Sequence, residues 1–239
     1  MHDKTRIGRR AACLTLFGLG GSLAAARPAF AAEKRPRPGI VIARKAKTPL
    51  AFNNADFYGP DGKLDEEAAK KACLALMRYF GYPVNETIRK KLSATDFGLG
   101  RFAEVGAGII AWVIEKEANY SSLEVILLPG QMIPEHWHVA IEAEGVKPKM
   151  ESWIVRYGST FAYGEGEPTP NPAVKVHPIE EKYVTVRHEQ PLRPGDVAGV
   201  PKPLEKHWQQ AGPEGCILTE VSTYHTGAAV RFTDPRIKF

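Results

Sequence analysis

The chain has 239 residues, of which 44% are hydrophobic and 25% charged, and this composition fits one large globular domain or two small ones. Its formal net charge of +5 is concentrated near the N-terminus, since residues 1–32 carry +4 and residues 33–47 carry +5, which leaves −4 for residues 48–239. A body with this charge balance lacks the basic surface that nucleic-acid binding requires, so no nucleic-acid partner is expected.

Residues 1–32 are typical of an export signal. Arg9-Arg10 precede an apolar, glycine-containing run over residues 11–26, and Ala29, Ala31 and Ala32 offer a cleavage site. The paired arginines resemble a twin-arginine signal, whereas the apolar run is too short and too rich in glycine for a typical membrane span. We therefore expect a periplasmic protein that makes no membrane contact after signal removal. An ordinary secretory signal or an uncleaved anchor is the alternative.

The mature chain begins with a proline-rich, basic stretch over residues 33–60, which predicts an extended arm or linker ahead of a domain over residues 61–239. Two helices are predicted near the start of that domain. Acidic residues at 65–67 suit a first helical turn, apolar residues then recur at helical spacing as far as Gly81, and Asn85 predicts the cap of a second, short helix. The apolar stripe of the first helix comprises Ala69, Cys73, Leu76 and Phe80.

From residue 107 onward, short β-branched or aromatic runs alternate with glycine and proline turns. Many short strands at close spacing favour an antiparallel barrel or sandwich, here with the two helices packed on it. The mature chain keeps Cys73 and Cys216, which we expect to be buried free thiols, with a disulfide as the alternative. The predicted strands are Ile109–Lys116, Leu123–Leu128, Ser152–Tyr157, Thr160–Tyr163, Tyr183–Arg187 and Cys216–Thr223.

The segment PGQMIPEHWH, residues 129–138, carries the strongest chemical signal. In an extended chain the side chains alternate between faces, so His136 and His138 point the same way and Trp137 points away. Two imidazoles on one face can chelate one divalent ion. The alternative is that both histidines are surface residues of a hairpin.

The spacing around these histidines resembles the first cupin motif, G-x5-H-x-H, which continues with a glutamate and a later glycine. Gly130 precedes His136 by six positions, and Glu151 precedes Gly158 by seven, which makes residues 139–150 an inserted loop. Glu142 fits the usual shorter spacing, but no glycine follows it at the right distance.

A second cupin-like segment runs from Gly195 through Pro201 to His207. The resemblance implies a mainly β fold, a cupin-type antiparallel β-barrel (jelly roll) with the two N-terminal helices packed on it. It also implies a divalent metal held by three imidazoles and one carboxylate, a donor set that suits Mn²⁺, Fe²⁺, Co²⁺ or Zn²⁺. The implied metal ligands are His136, His138, Glu151 and His207.

Several blocks resemble a particular cupin family, the D-lyxose ketol-isomerases: LPGQMIPEHWH, KMESWIVRYG, EGEPTP, KHWQQAGPEG, EVST and FTDPRI. The resemblance covers about residues 80–239. It implies a dimeric enzyme, with Mn²⁺ as the expected metal, that interconverts D-lyxose and D-xylulose, and often D-mannose and D-fructose, through a cis-enediol. It also places the catalytic base at Glu220, for which a carboxylate at the barrel end is the alternative.

The chain departs from that family at several positions. Leu123 stands where a lysine is usual, so that restoring lysine there is expected to raise activity, and GAAVR (227–231) replaces an acidic stretch. Lys116, Lys149 or Arg156 are candidates to replace the lysine, although Lys149 is more simply a loop charge. Trp137 also replaces a more usual polar or basic residue. His177, His188 and His225 are interpreted as surface residues, with His225 a weak candidate for the rim of the site.

These departures leave two alternatives to an isomerase. The same residues suit an exported cupin of another class, such as an Fe²⁺-dependent dioxygenase or a lyase. They also suit a non-catalytic cupin that binds a sugar or a metal.

Overall fold

The structure, a computed structural model, describes residue 48 and residues 50–238. The predicted export signal (1–32) and most of the predicted arm (33–60) lie outside these residues. The described end of the arm contains a short 3₁₀ turn, Asn54–Phe57, and the Phe57 side chain is buried against the body. The helices are α1 (Glu66–Phe80) and α2 (Glu86–Lys91), and the strands are β1 (Leu92–Thr95), β2 (Ala107–Glu115), β3 (Tyr120–Leu127), β4 (Met132–His138), β5 (Glu151–Gly164), β6 (His188–Leu192), β7 (Val197–Gly199), β8 (His207–Ser222) and β9 (Val230–Phe232).

Both predicted helices are confirmed, and local chemistry sets their ends. The Asp65 side chain accepts a hydrogen bond from the backbone N–H of Ala68 at the start of α1. Gly81 ends α1 in the left-handed conformation, at φ 77°, which glycine adopts without steric cost. The Asn85 side chain caps α2 by accepting from the backbone N–H of Ile88.

Strand β8 organises the sheet. It pairs with β5 along most of its length. On its other side, the first part of β8 pairs with β4 and the second part pairs with β3. Every pairing between the named strands is antiparallel, as predicted. The end of β4 and the first residues of β5 and β8 also lie close to one another.

The sheet has two buried faces with separate cores. On β3, Val125 and Leu127 pack with Trp153 in one core, and we call this side the inner face. Ile126 lies between them in sequence and packs with α1 in the other core, on what we call the outer face. This alternation follows from the two-residue period of a strand. Cys73 and Cys216 are buried and free, as expected.

Two strand predictions need correction. The predicted strands at 152–157 and 160–163 are parts of one continuous strand, β5, and Gly158 between them has φ 70° and lies against the backbone of Gly215. The predicted strand Tyr183–Arg187 is wrong. The backbone N–H groups in the middle of that segment, at Thr185 and Val186, donate to the side chain of Glu135 rather than to a neighbouring strand.

Among the residues that the structure describes, no helix has the length and apolar character needed to cross a membrane.

Candidate metal centre and active site

Four side chains from three strands converge on the inner face. His136 and His138 lie on β4, Glu151 is the first residue of β5, and His207 is the first residue of β8. One nitrogen or oxygen atom from each can be chosen so that all four atoms lie within 4.8 Å of one another. His136 and His207 are directly opposite in the β4–β8 register, and their ring centroids are 4.2 Å apart. The structure thus brings together all four residues that the sequence singled out as metal ligands.

The histidine rings present unshared electron pairs to this cluster. Nδ1 of His136 lies 2.9 Å from the carbonyl oxygen of Pro134, and Nδ1 of His207 lies 3.0 Å from that of Glu205. Because a carbonyl only accepts, each Nδ1 carries the proton and each Nε2 is left as a lone-pair donor. Nε2 of His138 and of His207 is buried and makes no hydrogen bond of ordinary geometry among the described residues, although Glu151 Oε1 lies close to both.

Burial favours the neutral form of His136 and His138. It lowers the pKa of His136 well below its ordinary value, assisted by His207 and His138, and it lowers the pKa of His138 as well. Neutral rings with unpartnered, inward-facing nitrogens are costly to bury unless a cation lies among them. The donor set therefore fits a divalent metal ion.

Glu151 supplies the carboxylate of the cluster and stays ionised. Its Oε1 lies 2.7 Å from Nε2 of His207 and 3.5 Å from Nε2 of His138. Burial acts to raise the pKa of Glu151, but the Lys149 ammonium outweighs burial and holds that pKa well below its usual range. A fixed negative charge beside the imidazoles strengthens the fit to a cation.

Lys149 is part of this cluster, so its interpretation as a loop charge is wrong. Its side chain is only 4% exposed; its Nζ contacts Glu151 Oε2 and lies 2.5 Å from Oε1 of Glu220. Although burial acts to lower the pKa of Lys149, the two carboxylates raise it above the ordinary value. Lys149 is therefore a buried cation held between two anions.

The position of Lys149 depends on the folding of the 139–150 loop. An isolated bridge joins Ile141 to Val146, and the backbone N–H of Met150 donates to the Thr223 hydroxyl at 2.9 Å. One feature of the sequence could have predicted this position. Residues two apart in an extended chain share a face, and Lys149 precedes Glu151 by two.

Glu220, the predicted base, lies beside the ligand cluster. It faces inward from β8, and its register partners are Leu123 on β3 and Trp153 on β5. Burial raises the pKa of Glu220, and Lys149 opposes that rise. A buried carboxylate whose pKa is raised is a stronger base than an exposed one, which suits proton transfer beside a metal-ligand cluster.

Lys149 is the only one of the three candidate replacements for the family lysine that reaches Glu220. Lys116 is exposed and pairs with Glu144 at 3.5 Å. Arg156 belongs to the outer face, where its Nε donates to the Thr219 hydroxyl at 2.7 Å. Leu123 itself is 4% exposed. Glu142, the alternative to Glu151 as a ligand, is exposed in a 3₁₀ turn.

The three histidines that were predicted to lie on the surface differ in burial. His188 is exposed, as expected, and half-buried His177 contacts the carbonyl oxygen of Gly130 at 2.8 Å. His225 is not a surface residue, because its Nδ1 is buried without a hydrogen-bond partner among the described residues. Burial, with a contribution from Lys149, lowers the pKa of His225 to about 4. Its place near Lys149 puts His225 at the edge of the site.

Comparison with known proteins identifies similar sequences. The chain is 36% identical to a "D-lyxose ketol-isomerase" of Thermofilum sp. over 169 residues, which are 71% of this chain and 87% of that protein. It is 37% identical to a "D-lyxose/D-mannose isomerase" of Thermosediminibacter oceani, over 72% of this chain and 88% of that one. It is 35% identical to a "D-lyxose ketol-isomerase" of Cohnella laeviribosi, over 71% of this chain and 91% of that one. No family model matches the chain.

Solved structures share the fold at lower sequence identity. The L-ribose isomerase of Acinetobacter sp. DL28 superimposes with a TM-score of 0.56 at 18% identity, over 72% of this chain and 92% of that one. The L-ribose isomerase of Geodermatophilus obscurus gives a TM-score of 0.56 at 16% identity, over 76% and 95% of the two chains. These similarities support the predicted cupin-type architecture and carry no further argument at such low identity.

Proposed function

Because the chain belongs to the D-lyxose ketol-isomerase family, we propose that it is a metal-dependent aldose–ketose isomerase acting on D-lyxose and D-xylulose, or on D-mannose and D-fructose. The observation that carries the proposal is the contact between a buried acid–base pair, Lys149 and Glu220, and a four-residue cluster suited to a metal. Isomerisation needs both parts, since a proton moves between two carbons while negative charge develops on oxygen.

Glu220 is the proposed base. In the aldose-to-ketose direction its carboxylate takes the proton from C2, and protonation of O1 completes the cis-enediol. The carboxylate then returns its proton to C1 as O2 loses a proton and becomes the ketose carbonyl. No electrons leave the sugar, so the reaction needs no oxidant. The inner-face position between Leu123 and Trp153 excludes water from the carboxylate and raises its basicity.

Lys149 is proposed to supply the positive charge that the family lysine supplies elsewhere. Its ammonium holds Glu220 in place through the 2.5 Å contact. It also lies near enough to the cluster to donate a hydrogen bond to a sugar oxygen, and so to assist proton movement between O1 and O2. The His225 ring, neutral at pH 7, is proposed to bind a sugar hydroxyl at the edge of the site.

The proposed metal ligands are His136, His138, Glu151 and His207, and Mn²⁺ is the proposed ion, with Fe²⁺, Co²⁺ and Zn²⁺ as the alternatives. When bound, a divalent ion polarises the sugar carbonyl and stabilises the enediolate charge. The Nδ1 contacts of His136 and His207 to backbone carbonyls, which leave Nε2 to donate an electron pair, and the ionised Glu151 support this assignment.

A turnover assay tests the function. The purified mature protein, loaded with Mn²⁺, is expected to convert D-lyxose to D-xylulose or D-mannose to D-fructose, with incorporation of solvent deuterium at C1 or C2. Failure to isomerise any aldopentose or aldohexose with any of the four metals would overturn the proposal. Oxygen consumption with Fe²⁺ in the absence of isomerisation would assign the site to a dioxygenase instead.

Elemental analysis tests the metal site separately. Mature protein is expected to retain about one divalent ion per chain, and His138→Ala is expected to lose it together with activity. His188→Ala is the matched control, because His188 is exposed. Equal metal content in both variants would contradict the ligand assignment.

We also propose that the protein is exported by the twin-arginine route and acts as a periplasmic homodimer. Arg9-Arg10 and the apolar run that follows support export, and the family resemblance supports the dimer. Twin-arginine export moves folded proteins, which would allow metal loading in the cytoplasm. Cell fractionation with Arg9→Lys/Arg10→Lys tests the route, and light scattering of the mature protein tests the dimer. Unchanged export of that variant, or a monomeric mass, would contradict the respective proposal.

A further inference from the structure

Strand β4 contains a bulge directly before the first proposed metal ligand. The register partner of Ile133 is Gln209 on β8, and the register partner of His136 is His207. Between these two pairs, β4 has two residues where β8 has one, and Glu135 is the second of the two. An extra residue on one strand of an antiparallel pair is a β-bulge, and bulges change the direction of side chains beside functional sites.

This bulge decides which side chains of β4 face the metal centre. Ile133 and His136 are three positions apart, so a regular strand would place them on opposite faces. Their partners on β8 are two positions apart and share a face, and the extra residue puts Ile133 and His136 on that face as well. In regular pairing, Glu135 and Trp137 would face inward, and His136 and His138 would face away from the site.

A buried carboxylate lies in the bulge. Glu135 is 1% exposed, and its Oε2 accepts hydrogen bonds from the backbone N–H groups of Thr185, at 2.6 Å, and Val186, at 2.9 Å. Its Oε1 accepts from the hydroxyls of Thr185 and Thr233, each at 2.6 Å. Lys206 Nζ lies 3.6 Å from the same oxygen. One carboxylate therefore receives four hydrogen bonds and lies near a positive charge.

These contacts hold the bulge from several directions. The backbone N–H of Thr233, which follows β9, donates to the carbonyl oxygen of Glu135 at 3.0 Å. Opposite the bulge on β8, Trp208 Nε1 donates to the carbonyl oxygen of Val186 at 2.8 Å. Segment 183–187, which was predicted as a strand, thus binds Glu135 on one side of the bulge and Trp208 on the other.

Loss of the bulge would be unfavourable for the Glu135 carboxylate. Turned inward, it would leave two backbone N–H groups without their acceptor and would approach Glu151 and Glu220, which are already buried there. We propose that Glu135 is a positioning residue, which fixes the bulge of β4 and thereby directs His136 and His138 into the metal centre. This role rests on the proposed function, because it concerns the ligands of the proposed metal.

The experiment compares two variants of Glu135 with a matched control. Glu135→Gln keeps the shape of the side chain and one acceptor oxygen, whereas Glu135→Ala removes both oxygens. The control is Glu189→Ala. Glu189 also accepts from a backbone N–H, that of Ala173 at 2.9 Å, and from a hydroxyl, that of Tyr163, but it lies on β6, whose partner strand is β5. Each variant is first checked for folding by circular dichroism and urea unfolding.

Two measurements are made on the mature protein without sugar. Co²⁺ titration gives the affinity, and the visible spectrum of bound Co²⁺ reports the geometry of its ligands. Carbethoxylation of the metal-free protein, located by mass spectrometry, gives the accessibility of His136 and His138, with exposed His188 as the internal reference. The second measurement requires no metal and no turnover.

Co²⁺ is expected to bind about 10²-fold more weakly to Glu135→Ala and about tenfold more weakly to Glu135→Gln, with an altered spectrum in both. Glu189→Ala is expected to keep the wild-type spectrum and an affinity within about threefold of wild type. In the Glu135 variants, His136 and His138 are expected to react about tenfold faster than in wild type, because they turn outward.

The proposal is overturned if folded Glu135→Gln keeps the wild-type affinity, spectrum and labelling rates, or if Glu189→Ala shows the same losses as the Glu135 variants. If Glu135→Ala does not fold, Glu135→Gln decides. If wild type does not bind Co²⁺, the labelling rates decide. Absence of sugar isomerisation alongside the expected binding and labelling would contradict the proposed function and leave the role of Glu135 intact.

Discussion

On each face of strand β8, a carboxylate lies near a positively charged side chain, and the two cations differ in burial. Thr219 and Glu220 are adjacent in sequence and point to opposite faces. On the inner face, Glu220 pairs with Lys149, and both are buried. On the outer face, Thr219 connects Glu124 to Arg156, and the guanidinium is exposed.

The difference shows how burial sets the role of a carboxylate. A buried ammonium between two buried carboxylates is fixed in position and poorly screened by solvent, which suits proton transfer. On the outer face the positive charge near the carboxylate is exposed and screened by solvent, so Glu124 and Arg156 do not form a comparable buried pair.

Removal of the inner carboxylate is expected to have the largest effect. Glu220→Gln keeps the shape of the side chain and cannot accept a proton from carbon, so kcat for D-lyxose is expected to fall by about 10³-fold or more. Glu214→Gln, an exposed change on the same strand, is the control. A fall of less than tenfold in Glu220→Gln would show that another group is the base.

Removal of the inner cation comes next. Lys149→Met leaves two buried carboxylates unpaired, so kcat is expected to fall by about 10²-fold and the melting temperature to drop. Lys147→Met is the matched control, because Lys147 is exposed in the same loop. If both variants behaved alike, the role given to Lys149 would be lost, and rescue by Lys149→Arg would argue for charge alone.

Addition of a second inner cation is expected to have a smaller effect. From sequence alone, Leu123→Lys is expected to raise activity. The structure reverses this expectation, because Leu123 is buried directly beside Glu220, which already has Lys149 as its partner. The variant is expected to lose about tenfold in kcat and about 2 kcal/mol of stability. Leu123→Met controls for packing. A gain in kcat in Leu123→Lys would instead support the expectation from the sequence.

The smallest effect is expected from a pair of carboxyl groups outside the metal centre, Glu180 and Asp234. Burial, with Asp234 adding to it, raises the pKa of Glu180 to about 8, so the folded protein keeps a proton that the unfolded chain loses above pH 4.5. This contribution to stability is complete below pH 4.5 and is lost as pH rises towards 8. The wild-type free energy of unfolding, measured with urea, is expected to fall by an amount on the order of 2 kcal/mol between pH 5 and 8. In Glu180→Gln this fall is expected to be absent. A pH profile identical to wild type would contradict this.

Local signals in the sequence predicted the helices and much of the site. The caps at Asp65 and Asn85 and the H-x-H pair depend on residues close together in the chain, where steric and hydrogen-bonding preferences act directly. The strand prediction for segment 183–187 failed because the structure of this segment depends on a distant residue. Its β-branched residues suit a strand, but its N–H groups bind the side chain of Glu135, which lies about fifty positions away in the chain.

The sequence by itself determined which residue types could bind a metal and move a proton, and on which strands they lie. Only the tertiary structure decided that Lys149 enters the site and that Arg156 faces away from it. The physical reason is that an inserted loop and two breaks in strand pairing direct those side chains. Such directions depend on contacts between distant segments, and no local pattern specifies them.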